Sequence, residues 1–260
     1  MRTKHLRNLL SASAALLFAI QVNAHDHINL ERGIPVQLED AYPTAFQNRE
    51  FQGIAKYERT DDDENRYELV PVLEYGIFRN SELEIEVPVK FEPGPNEGSG
   101  NIETAFLYNL NYEGLLLPAI SPIVRAVIPT GKNSRGLDTS LGLALTKTLS
   151  RTGFFHRIHA NAFWHHNEDP SFDERSNRYE FALGYQARLD NSNQLLFNVL
   201  RKQEVKRDKA SNLVELGLRH QWNPLWVLAV GATVGIGSGS PNFMGTLGFQ
   251  RMINWPYGGP

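Results

Sequence analysis

From residue 50 onward, apolar and polar positions alternate in one segment after another, and helical spacing is hard to find. Glu82-Leu83-Glu84-Ile85-Glu86-Val87-Pro88-Val89-Lys90-Phe91 places five apolar side chains on one face and four charged groups plus a proline on the other. Tyr179, Phe181, Leu183, Tyr185, Ala187 and Leu189 alternate in the same way with Arg178, Glu180, Gln186 and Arg188. Successive side chains of a strand point to opposite faces, so each segment has an oily side and a wet side.

Twelve such segments fall near 50–59, 66–77, 82–91, 101–110, 119–130, 139–148, 155–165, 177–189, 194–203, 211–222, 225–236 and 243–253. Acidic or Gly-rich loops lie at 60–65, 92–100, 131–138, 166–176, 204–210 and 237–242. Tight turns lie between them at 79–81, 150–153, 190–193 and 223–224, and a less clear link spans 111–118. A soluble sandwich has about seven to nine strands and buries its oily faces against each other. An even count, strands of about ten residues and a long–short rhythm describe a transmembrane, antiparallel up-and-down β-barrel instead. Both termini then face the periplasm. Tyr57, Tyr67, Phe91, Tyr179, Trp222 and Trp226 stand near segment ends on the outward face, where interfacial girdles form. The chain ends Trp255-Pro256-Tyr257-Gly258-Gly259-Pro260, so a terminal aromatic assembly signal would be internal, around 249–255.

The first 24 residues have a different character. Arg2, Lys4 and Arg7 precede an apolar run at 9–20, and Val22-Asn23-Ala24 offers the small residues a signal peptidase reads. The expected organisation is a signal peptide (1–24), a periplasmic N-terminal segment or plug (25–49) and an outer-membrane barrel (50–260). Cleavage after Ala24 leaves 23 basic and 29 acidic residues, a net charge of -6. That balance argues against nucleic acid as a partner. The lack of cysteine excludes disulfide frameworks, thiolate metal sites and thiol nucleophiles.

With the oily face outward, Glu68, Glu74, Glu82, Glu84, Glu86 and Glu103 point into the lumen from segments two to four. Arg157, His159, Asn161, His165, Arg178, Glu180 and Arg188 do so from segments seven and eight. In a twelve-strand ring an acidic wall would face a largely basic one. An open centre would then carry a transverse field that orients polar solutes. A closed centre would instead be filled by the same groups as salt bridges, since twelve strands lie between filled and open barrels.

Chemistry beyond polarity is sparse. His159 and His165 are about 20 Å apart along a strand, too far to share a metal. After cleavage His25-Asp26-His27 would present a free amine with histidine at the third position, a Cu(II)-chelating pattern. The stretch from His165 to Tyr179 loosely resembles outer-membrane phospholipase A, whose serine follows its histidine by two residues. Asn167 occupies that position here, so no catalytic residue is assigned. No cofactor site is read from the chain.

The C-terminal half resembles the family named for the meta-pathway of phenol degradation. The likeness is carried by residues 177–185, 194–198, 213–219 and 230–235, by Ser240-Pro241-Asn242-Phe243, and by Val127-Ile128-Pro129-Thr130-Gly131. It covers roughly residues 65 to 253. It implies an outer-membrane, transporter-like barrel, in some members linked to aromatic or hydrophobic compounds. The inward groups, being charged, suit polar solutes better.

The sequence therefore leads to an outer-membrane channel for small solutes, in contact with outer-membrane lipid and handled by the barrel-assembly machinery. Glu82, Glu84, Glu86, Glu103, Arg157, His159, Arg178 and Arg188 are the expected lumen and selectivity residues. His25 and His27 are the candidate metal ligands. A closed structural or binding barrel that works through its loops is the alternative, and a phospholipase-like enzyme the third reading.

Overall fold

The computed structural model describes residues 29–91, 97–132, 134–150 and 154–253. The leader, His25 and His27, and the aromatic end at Trp255 and Tyr257 lie outside them. Fourteen strand pieces follow in order. They are β1 (Arg49–Arg59), β2 (Asn65–Tyr75), β3 (Ser81–Glu86), β4 (Val89–Lys90), β5 (Gly98–Ser99), β6 (Ile102–Tyr108), β7 (Ala119–Ile128) and β8 (Asp138–Ser150). The rest are β9 (His156–Asn167), β10 (Asn177–Arg188), β11 (Asn193–Gln203), β12 (Ala210–Asn223), β13 (Trp226–Gly235) and β14 (Phe243–Met252).

These pieces make twelve spans, because β3 and β4 both pair with β2, while β5 pairs with β4 and β6 with β3. The segment expected at 82–91 is interrupted at Pro88, which has no N–H to donate to a ladder. The opposite span is offset in step, with Gly100 N–H bonding the Pro88 carbonyl. β1 pairs antiparallel with both β2 and β14, so the sheet closes on itself and leaves no free edge. The result is a closed, antiparallel twelve-strand barrel.

One end carries β1's Arg49 and the short turns, here termed the turn end; the other is the loop end. The rhythm of long and short links is broken most at the turn-end link between β6 and β7, which runs from 109 to 118. Asn111 pins that link: its amide donates to the Pro118 carbonyl at 2.8 Å and its carbonyl accepts from Ile120 N at 3.0 Å.

The outward face is apolar. Leu73, Ile85, Val124, Leu141, Phe181, Leu183, Leu216, Val230 and Leu247 are all exposed, forming a band far larger than a soluble monomer normally shows. Aromatic rings cluster near both rims. Tyr57 lies 5.3 Å from Tyr67 and 6.3 Å from Phe243 at the loop end. Phe249 lies 5.9 Å from Phe51 and 5.5 Å from Trp226 toward the turn end. A membrane-facing wall needs this inversion, with apolar side chains outside and polar ones within.

Candidate functional site

The lumen is occupied by the chain's own N-terminal segment. Residues 30–44 run inside the wall, and each of three apolar clusters there includes side chains from this stretch. Leu30, Val36 and Leu38 pack with Ala182, Leu196, Leu200 and Leu213. Ile34 packs with Ile54, Val70, Val72 and Ala229, and Ala41 with Leu107, Ile123, Ala144 and Phe163. Small inward residues make the room. A Cβ on Gly184 would stand 2.1 Å from Leu38 Cδ2, and one on Gly217 2.3 Å from Pro35 Cγ.

Wall side chains satisfy the segment's backbone, which a buried stretch without its own ladder requires. Gln37 N–H donates to Glu215 at 2.8 Å, Glu39 N–H to Asn161 at 2.8 Å, and Ala41 N–H to Thr146 at 2.9 Å. The Ala41 carbonyl accepts from Ser121 and Asn109 at 2.7 and 2.8 Å. Thr44 N–H donates to Glu82 at 2.5 Å. At the turn end, Tyr42 Oη donates to Glu113 at 2.9 Å, and Glu113 also accepts from Lys147 Nζ at 3.0 Å and Thr148 N at 2.7 Å. Burial works against the charged form of Glu113, but these hydrogen bonds outweigh it and hold its pKa down at about 2.

The charged residues named from the sequence all lie on the inner face, with partners that mostly come from elsewhere. Arg125 on β7, absent from the sequence reading, is the central counter-ion. It is 2% exposed, reaches Glu39 at 2.9 Å and Glu103 at 3.4 Å, and lies 5.0 Å over the Phe163 ring. Glu84 is buried and Glu86 half-buried on the same face of β3. Arg157 stacks between Tyr42 and Phe155, 4.9 Å from each ring, with Asp40 at 3.9 Å. Arg178 has Asp138 at 3.9 Å, and Arg188 lies 5.4 Å over Phe155. His159 belongs to a neutral relay. Ala41 N–H donates to Thr146 Oγ1, so the Thr146 hydroxyl is free to donate to His159 Nδ1 at 3.0 Å. Nε2–H then faces Gln186 at 3.2 Å, and Gln186 donates to Gln194 at 2.7 Å.

One carboxylate grouping could not be read from strand alternation alone. Glu31 from the N-terminal segment meets Glu74 and Glu82 with oxygens all within 4.8 Å of one another, and all three are buried. Such a set has oxygen donors suited to a hard divalent cation. Shared protons would relieve the same repulsion.

Two cavities flank the segment. The turn-end cavity, about 550 Å³, is lined among others by Glu31, Tyr42, Glu50, Arg79, Glu113 and Arg157. The loop-end cavity, about 290 Å³, is lined among others by Arg32, Lys56, Glu68, Lys90, Glu180 and Lys202. They share no lining residue.

The histidine singled out for the enzyme reading lies in a different row. Ser140 Oγ is 2.7 Å from His165 Nδ1, and His165 Nε2 is 3.8 Å from Glu180. Neither Ser140 nor His165 lines either of these cavities, and Ser140 is buried.

A closed twelve-strand barrel with an apolar outer band, aromatic rims and a polar, ion-paired interior has the fold of outer-membrane β-barrels. Known structures agree at the level of fold. The COG4313 outer membrane channel from Pseudomonas putida F1 superposes with a TM-score of 0.61 and 15% identity, covering 86% of this chain and 100% of that one. That channel is of the phenol-degradation family which the strand and turn patterns resemble. The KdgM porin and the NanC porin each give a TM-score of 0.55 at 11% identity over 79% of this chain, covering 99% and 100% of theirs. No family model matches the chain, and no curated protein does.

Proposed function

We propose that this protein is an outer-membrane channel for small polar solutes, plugged by its own residues 30–44, and that flux follows partial displacement of that plug. The observation that carries the reading is the nature of the plug's anchors. Its backbone is bonded to wall side chains, while the wall's own backbone is already satisfied within the barrel ladder. The plug can therefore shift without opening the sheet. Glu82, Glu84, Glu86, Glu103, Arg157, His159, Arg178 and Arg188 then line the route and set its ion preference together with Arg125. The likeness to channels and porins supports the reading through the fold.

Planar-bilayer conductance tests it. The intact chain should give rare or small steps, and a variant lacking residues 30–44 should give larger and steadier ones. A deletion variant that shows heat-modifiable gel mobility, and so is folded, yet remains as silent as the intact chain would sink the channel. That outcome would favour the second reading, a closed binding barrel acting through its loops, which the filled lumen also supports.

A further inference from the structure

The loop-end cavity has a charge pattern that specifies a ligand. Two inward carboxylates at this mouth are each flanked by two cations. Glu68 has Lys56 in register on β1, at 3.6 Å between charged atoms, and Lys90 in register on β4. Glu180 has Lys202 in register on β11 and accepts from Arg32 Nη2 at 3.0 and 3.1 Å. A fifth cation lining the cavity, Arg66, is 3.8 Å from Glu58. Five cations face three carboxylates in the lining. Positive charge is left over at Lys90 on one wall and at Lys202 on the other, where Lys202 also reaches Glu204, outside the lining, at 3.3 Å.

Arg32 adds a directional feature. It binds Glu180 through a single nitrogen, and its Nε is buried with no hydrogen-bond partner. A guanidinium presents five N–H donors in a planar fork suited to carboxylate oxygens, so Arg32, which lines the cavity, keeps a donor unused. The volume of about 290 Å³ lies near the lower limit for ligand sites, roughly 300 Å³, and equals about ten water molecules. A one-ring acid fits that volume.

We propose that the loop-end cavity binds small organic monocarboxylates, with the carboxylate held by Arg32, Lys90 and Lys202. Because Arg32 belongs to the plug, the bound anion competes with Glu180 for it and loosens one of the plug's loop-end anchors. The inference rests on the channel reading for its consequence, while binding itself stands apart from conduction.

The test is saturation-transfer NMR of the detergent-solubilised full chain with benzoate, and with benzamide as its neutral counterpart. Benzoate should bind saturably and benzamide should not, and the benzoate affinity should fall as salt is raised. Lys90→Gln combined with Lys202→Gln should weaken benzoate about tenfold, the scale of one charge-assisted hydrogen bond. Heat-modifiable mobility checks that this variant is folded, and Arg66→Gln serves as a second variant with a smaller effect. Equal binding of benzoate and benzamide, or undiminished benzoate binding by the folded double variant, overturns the proposal. Conductance of the plug-deleted variant reports separately on the channel, so either idea can fail without the other.

Discussion

The two ends of the plug are held by different physics. At the loop end the anchors are a charge pair, Arg32 with Glu180, and the backbone of Gln37, bonded to Glu215 and Asn198, beside a cavity with an excess of cations. At the turn end the anchors are several and mostly buried, with both backbone groups of Ala41 bonded, Thr44 N–H on Glu82, and Tyr42 on Glu113. A charge pair at an open mouth is screened by salt and can be replaced by a solute carrying the same group. A distributed set of buried bonds yields only as a unit, because each group left alone costs desolvation. The plug should therefore release from the loop end first and stay tethered at the turn end.

The strongest way to break this comparison is to remove what both ends share. Arg125→Ala strips the buried counter-ion from Glu39 and Glu103, at a cost of about 3–5 kcal/mol. Urea denaturation in detergent should show a loss of that order, partly recovered by adding Glu39→Gln. A change under about 1 kcal/mol would mean that the lumen's charges are not coupled through Arg125.

Next in size is overpacking between the ends. Gly184→Val thrusts a side chain into Leu38, a strain of about 1–3 kcal/mol, and should raise conductance while leaving the barrel folded. Leu38→Ala in the same chain should bring conductance back toward that of the intact protein. An unchanged conductance in the single variant would show that the plug yields around the new side chain without opening a path.

The turn end can be weakened alone. Tyr42→Phe deletes one hydrogen bond to Glu113 and should cost about 1 kcal/mol, with little effect on benzoate binding at the far end. With a folded-state pKa of about 2, below the ordinary carboxylate value, Glu113 contributes stability at neutral pH that is lost progressively as pH falls from the ordinary carboxylate range through about 2. Glu31 behaves in the opposite sense. Burial and the neighbouring carboxylates Glu82, Glu39 and Glu50 push its pKa well above the ordinary value, so its contribution is full in acid and fades as pH rises. The smallest expected effect is thus a gentle rise in open events as pH climbs above the ordinary carboxylate range, flattened by Glu31→Gln. Bilayer recordings across that range check it, and a rise of the same size in the variant would remove Glu31 as the cause.

The barrel wall was legible in the sequence because a strand exposed to lipid on one side and to polar groups on the other must alternate. Glu82-Leu83-Glu84-Ile85-Glu86 states its two faces in five residues. The break at Pro88 was visible in principle, through a residue that cannot donate to a ladder. The N-terminal segment was less legible. Ile34, Val36 and Leu38 alternate over too short a stretch to register as a span, and their partners lie on β1, β2 and β10 to β13. The inward Ala182, Gly184, Gly217 and Gly231 were the available signal, since a lumen lined by such small residues leaves room for a second object.

What the sequence by itself determined is therefore the wall: its strand count, its faces and its aromatic rims, all set by local alternation. Only the tertiary structure decided what fills the lumen. Arg125 and Glu39 are 86 residues apart, and Arg32 and Glu180 are 148 apart. Local pattern carries no information about such pairs, because closure of the sheet and insertion of the segment bring them within reach.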